Sequence, residues 1–428
     1  MKRCFALCFA ASLAAQVLCA AWDPGEPVTT YWGGPGFPGA MKLSDTWLEQ
    51  LKEGGFNTVW ATTVAELDLA AKHGMRVIYK PAGLYGGVKL DDPAEREKLA
   101  AIIGKVKNHP ALYVYELSDE PSAKWFAGIA RIKEFMHRLD PNHAAWVNLL
   151  PIYANNKQLG IDGDIIAAYW EHVRLFGEVF RPEFITYDHY QFNWDHDGPE
   201  YLRNLGIIRH CAASRGVPFF NGVQSCSFAP PKDLASPPAP RAEGPDGLRF
   251  LVYTTAAHGA HGIYYFVYCL KGFDNSIVTT EGKTGENYEA LKTLNREFIA
   301  LSRELRPLKF VGAYLQGVIG PGTTPWCEQA LLTITPETPR RALKPDGLYT
   351  DTTLVSRFDA PDGRTRLMVV NLDYTKERTI HVAAPTRLER FDALSGVWSP
   401  VGSAETDLAL PKGGGVLLRF AQAAQLTQ

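Results

Sequence analysis

The sequence has no charge of one sign to spare. Lys and Arg number 44 against 46 Asp and Glu, a formal net charge of −2. That excludes a long-range positive field able to gather nucleic acid, and there is no polybasic run to hold an anionic membrane. Cysteine is scarce at 7 residues, and Cys4, Cys8 and Cys19 sit at the extreme N-terminus. Cys211, Cys226, Cys269 and Cys327 lack C-x-x-C spacing, which argues against a zinc site; buried thiols and bridges both stay open. No internal repeat occurs, and past Ala20 no long apolar run predicts a membrane span. A dinucleotide-binding turn is missing as well. Gly33-Gly34-Pro35-Gly36 comes nearest, but its proline and the lack of an immediate helix spoil the geometry. Nothing in the chain calls for a metal or organic cofactor.

Met1-Lys2-Arg3 is a short basic start, and the residues from Cys4 to Ala20 are almost wholly apolar and small. The run is shorter than a membrane span and ends in Asp23-Pro24. This predicts a signal peptide over 1–20, cut near Ala20 or Ala21, and an exported chain that is periplasmic or secreted. A lipoprotein cut before Cys19 is the weaker reading, because Leu18 is bulky where a small residue is needed.

Beyond the leader, short apolar runs alternate with helical patterns. Strands are predicted at 28–32, 57–61, 76–79, 112–117, 144–149, 184–187, 218–222 and 262–267, each followed by a helix. The runs are apolar throughout rather than alternating, as expected for a parallel sheet covered by helices. Eight such units predict an α/β fold, a (β/α)₈ barrel over 21–308. After Pro307 the pattern turns to short alternating segments split by Gly-rich turns, predicting a C-terminal antiparallel β-sandwich over 309–428.

Chemistry in this barrel sits at the C-terminal ends of the strands. There the sequence offers Tyr31 and Trp32, Trp60, Lys80, Asp119 and Glu120, Asn148, Tyr187, Asp188 and Tyr190, Asn221 and Gln224, and Tyr265 and Tyr268. Aromatic faces with amides, hydroxyls and carboxylates suit a sugar ring, whose C–H faces stack while its hydroxyls need fixed partners. The expected partner is therefore carbohydrate, with Lys80 able to meet a carboxylate or sulfate on it or to pair with Asp119.

Ser118-Asp119-Glu120-Pro121, ending strand four, resembles the Asn-Glu-Pro acid/base motif of the clan of retaining (β/α)₈ glycoside hydrolases, which includes families 5 and 42. The resemblance runs along the whole mature chain and implies that Glu120 is the general acid/base, with Asp119 in place of the Asn. That clan carries a nucleophilic Glu at the end of strand seven, where this sequence has Gln224, an amide. The adjacent Asp-Glu is similar to the family 20 and family 123 hexosaminidases. There the substrate's own 2-acetamido oxygen attacks, an Asp orients it, and a Tyr (here Tyr187 or Tyr190) binds its oxygen. Three readings follow: a substrate-assisted glycosidase, a two-carboxylate glycosidase with Asp188 as the second carboxylate, or an inactive barrel that only binds glycan.

Overall fold

The computed structural model describes residues 22–228, 244–361 and 363–421. The leader over 1–20 and the Pro-rich stretch containing Glu243 lie outside them.

Runs rich in Val, Ile, Thr and aromatic residues form eight parallel strands, each buried almost throughout. In chain order they are β1 (Val28–Trp32), β2 (Thr58–Ala61), β3 (Arg76–Tyr79), β4 (Leu112–Asp119), β5 (Ala144–Leu149), β6 (Ile185–His189), β7 (Phe219–Gln224) and β8 (Gly262–Phe266). The helices between and after them are α1 (Asp45–Glu53), α2 (Val64–Lys72), α3 (Pro93–Val106), α4 (Phe126–Leu139), α5 (Asn156–Leu159), α6 (Ile165–Leu175), α7 (Tyr201–Arg215), α8 (Gly244–Ala257) and α9 (Glu286–Leu305). Caps set their starts. The Ser44 side chain accepts from Trp47 N–H, Thr63 and Glu66 form a capping box, and Asp92 accepts from Ala94 N–H ahead of Pro93.

The strands follow the order β1-β8-β7-β6-β5-β4-β3-β2, a (β/α)₈ barrel. At the seam between β1 and β2, Asn57 N–H donates to Thr29 O at 3.2 Å, and its side-chain Oδ1 accepts from Thr29 N–H at 3.1 Å. The interior is aromatic. Phe184 and Phe220 stack at 4.7 Å, and Trp146 packs edge-on to Tyr264 at 5.6 Å and to Trp60 at 6.3 Å. Trp22 lies against Tyr113 and Phe184 at the barrel floor.

Strands β4, β6 and β7 run two residues further than their apolar runs predict, because their polar ends still pair in the ladder: Asp119 opposite Asn148, Asp188 opposite Gly222, Gln224 opposite Phe266. The helix predicted right after Pro121 starts later, at Phe126, behind a 3₁₀ turn over Ala123–Trp125. That leaves Glu120 in a bend between the end of β4 and the delayed helix.

The C-terminal part has two packed, mostly antiparallel sheets and a small parallel pair, Val318–Ile319 with Arg341–Ala342. One of the two sheets runs Thr324–Pro325, Lys309–Gln316, Thr353–Asp359, Thr365–Asn371, Gly415–Phe420, Leu388–Asp392 and Val397–Val401; the other runs Thr333–Thr335, Arg378–Ala383 and Glu405–Leu410. Alternating residues such as Val355, Val369, Ile380, Val382 and Leu418 fill the space between them. Cys211 and Cys269 are buried free thiols, Cys226 is buried, and Cys327 is an exposed free thiol.

Candidate active site

Four strands deliver polar side chains to one point at the C-terminal mouth. At the end of β4 the register slips between Glu116 and Ser118, so the ladder bulges just before the acidic pair. Glu120 then takes a left-handed backbone conformation, φ 45°, rare for a side chain with a Cβ. Its N–H donates to Asn148 O at 2.8 Å, tying the bend to β5.

Asn148 is the hub. Its Nδ2 donates to Asp119 Oδ1 at 3.1 Å and to Asp188 Oδ2 at 3.2 Å, and its Oδ1 accepts from the Tyr264 hydroxyl at 2.6 Å. Tyr190 donates its hydroxyl to Asp188 Oδ2 at 2.9 Å. The carboxyls of Asp188 and Glu120 lie close enough for each to perturb the other's ionisation. Solvent reaches Asp119 and Glu120, but protein surrounds both on most sides. This crowding, then the charge of Asp119, pushes Glu120 up to about 7. Asp188 is fully buried and is raised further, first by burial and then by Glu120 and Asp119.

Beneath them Glu116, with no exposed surface, meets Lys80 Nζ at 2.5 Å. Burial outweighs the lysine and lifts Glu116 to about 7. Lys80 therefore pairs with Glu116 and not with Asp119 as the sequence suggests.

The structure brings Asp119, Glu120, Asn148, Asp188 and Tyr190 together and sets Lys80 below them. Other expected contacts point elsewhere. Tyr31 donates to Pro35 O at 2.6 Å, Tyr265 to Asn295 Oδ1 on α9 at 2.8 Å, and Tyr268 to Gln50 Oε1 on α1 at 2.9 Å. All three tyrosines are fully buried; Tyr265 and Tyr268 fasten helices to the barrel, and Tyr31 ties down the loop after β1. Tyr187 is likewise turned outward, near Tyr201 and Tyr169. Asn221 faces α8, donating to Thr255 Oγ1 at 2.8 Å. Trp60 fills the barrel interior with no exposed surface, and Trp32 covers it edge-on at 5.0 Å. Gln224 points inward but is spent on the chain itself: its Nε2 donates to Phe192 O and Cys226 O, and its Oε1 accepts from Phe192 N–H.

Three site residues escaped the sequence reading. Tyr264 and Glu116 were passed over for their neighbours in the same strands. Tyr153, after β5, exposes its ring while its hydroxyl accepts from Tyr190 N–H beside Asp188. Alternation counted back from Asp188 and Asn148 would have found the inward side of each strand.

A groove of about 640 Å³ leaves the mouth over the end of β4, lined by Lys80, Asp119, Glu120, Tyr85, Trp125 and Lys157 among others. A cavity of about 690 Å³ lies at the opposite end, around Trp22, His261, Arg306 and Phe358. Its one carboxylate, Glu183, is already paired with Lys133 at 2.6 Å, and this fold does its chemistry at the other face. The groove at β4 is therefore the candidate site.

Known structures share the fold. A glycoside hydrolase family 5 protein from Bacteroides vulgatus ATCC 8482 is similar over 94% of this chain and 96% of its own, with a TM-score of 0.55 and 12% identity. Another glycoside hydrolase is similar over 95% and 99%, with a TM-score of 0.52 and 13% identity. A β-glucuronidase from Bifidobacterium dentium aligns over 62% of this chain with a TM-score of 0.43 and 12% identity, and the chain spans 46% of its length. No protein-family model and no curated protein matches the sequence. At these identities the likeness defines the class of fold: a (β/α)₈ barrel with an appended β-sandwich.

Proposed function

We propose that the protein hydrolyses O-glycosidic bonds, with Glu120 as the general acid/base. The observation that carries this is the cluster of Asp119, Glu120 and Asp188 gathered around Asn148 at the barrel mouth. It keeps an acid protonated near neutral pH, as donation to a leaving oxygen requires. The glycoside hydrolases among the similar structures support the same substrate class.

The arrangement favours substrate assistance over a two-carboxylate mechanism. Carboxyls acting from opposite sides of a sugar stand about 5–5.5 Å apart for retention, or about 6.5–9.5 Å for inversion. The β7 position where that second carboxylate is expected holds an amide, Gln224, which is spent on Phe192 and Cys226. In this reading Glu120 protonates the departing oxygen as the C1–O bond breaks. The 2-acetamido carbonyl oxygen bonds to C1, and Asp119, held by Asn148, accepts from the acetamido N–H. Water then opens the cyclic intermediate and returns a proton to Glu120. Asp188 serves as proton partner to Glu120.

Gln224 also favours a second reading, a barrel that holds glycan without turning it over. Aryl 2-acetamido-2-deoxyglycosides, compared with the matching plain glycosides, separate the two. The proposal expects cleavage of the acetamido series only, and inhibition by a thiazoline analogue. Equal cleavage of plain glycosides would sink substrate assistance, and binding without turnover would favour the second reading.

Export belongs to the same proposal. Among the described residues no helix is long and apolar enough to cross a membrane. N-terminal sequencing of the secreted protein should begin at Ala21 or Trp22.

A further inference from the structure

We infer that the groove over β4 is a second sugar subsite, so that the protein acts on oligosaccharides and not on single sugars. The inference rests on the glycosidase reading and extends it to substrate length. Only the inner end of the groove, at Asp119 and Glu120, is needed for the bond that breaks. The remainder runs outward between the β3–α3 loop and the start of α4, and its whole volume lies within the ~300–1,000 Å³ of small-ligand sites.

Two large aromatic side chains rim that outer part, and both are exposed: Trp125 at 64% and Tyr85 at 50%. Leaving an indole in water forgoes burial worth roughly 2 kcal/mol or more, and scattered exposure does not explain two aromatics on one groove. Local structure holds each in place. Trp125 closes the 3₁₀ turn that delays α4, its N–H donating to Ser122 O at 2.9 Å. The Tyr85 ring lies over Gly87, where a Cβ would stand 2.8 Å from the ring, so glycine permits that position. Lys157, exposed at the same groove, supplies a donor for ring hydroxyls. Aromatic faces with a donor at the edge match the C–H face and hydroxyl rim of a pyranose.

The test is titration calorimetry on the Glu120→Gln protein, which prevents hydrolysis, with N-acetyl chito-oligosaccharides and cello-oligosaccharides of one to four units. The inference expects affinity in one series to rise roughly 3- to 10-fold between the one-unit and two- or three-unit members. Adding Trp125→Ala should remove that rise. Because Trp125 is exposed, the variant should keep its melting temperature. Affinity independent of length, or a rise that survives Trp125→Ala with Tyr85→Ala, overturns the subsite. If aryl monosaccharides are still cleaved by the unmodified protein in that case, the glycosidase reading stands alone. Binding of no member of either series overturns the subsite too, and cleavage assays then decide the reading separately.

Discussion

The Tyr264 hydroxyl reaches from β8 across the barrel to Asn148 Oδ1 on β5, at 2.6 Å. A hydroxyl that donates to the amide oxygen fixes which way the amide faces, so both Nδ2 hydrogens go to Asp119 and Asp188. Gly222 makes the reach possible: a Cβ there would stand 2.1 Å from Tyr264 Cζ. Tyr264 is thus a positioning residue that acts through Asn148.

Tyr264→Phe keeps the ring and removes the donor. One net hydrogen bond is worth about 0.5–1.5 kcal/mol, so kcat should fall roughly 2- to 12-fold with KM little changed. The pH–rate profile should shift with it, because Asp119 and Asp188 lose their fixed donor. Unchanged kcat and an unchanged profile would remove Tyr264 from the machinery.

Glu120, raised to about 7, is protonated below that pH and ionised above it. As a general acid it should give kcat/KM an alkaline limb near pH 7, absent from the residual activity of Glu120→Gln. That variant should lose on the order of 10²–10⁴ in rate on poor leaving groups and much less on activated aryl glycosides. The sign for stability follows. A carboxyl raised above its unfolded value of 4.5 contributes stability that is fully present below 4.5 and lost as pH rises through 7. Relative to the unmodified protein, Glu120→Gln should gain melting temperature at pH 8 compared with pH 4.5. Equal differences at the two pH values would refute the raised value.

Lys80→Met leaves Glu116 buried without its ammonium partner. Above pH 7 the orphaned carboxylate should cost about 3 kcal/mol. At pH 5 Glu116 is neutral with or without Lys80, and the cost should shrink to that of lost packing. Urea denaturation at the two pH values checks this; a pH-independent loss would mean the ion pair is not what Lys80 contributes.

Gln224→Glu restores the carboxylate that the strand-seven position has in the resembling clan, but it should not create activity. The new side chain would face Phe192 O and Cys226 O, where the amide donates at 2.9 and 3.0 Å. Two lost donors in a buried site predict a loss of roughly 2 kcal/mol or more and no gain in turnover. Robust cleavage of plain glycosides by this variant would revive the two-carboxylate mechanism.

The barrel was readable because each apolar run and cap repeats in order, and β1, β3 and β5 lie where the pattern puts them. The direction of side chains was not. In a strand buried on both faces, inward and outward positions are equally apolar. Tyr264 and Tyr265 are indistinguishable in composition, yet one reaches Asn148 and the other Asn295. The same one-residue ambiguity sent Tyr187 and Asn221 to the helix side. Asp119, Glu120, Asn148 and Asp188 are polar strand-end residues that the structure does bring together. Lys80 went to Glu116 because a charge wholly inside the barrel has the stronger need of a partner.

The left-handed backbone at Glu120 sets thermodynamics and chemistry against each other at one position. Glycine would adopt that conformation at little cost and would also remove the carboxyl proposed as the general acid/base. A library of Glu120 variants sorted for heat resistance alone should therefore enrich glycine, and one sorted for sugar release should retain glutamate. The position where those two selections disagree most identifies the residue that the fold keeps for its reactivity and at the expense of its own stability.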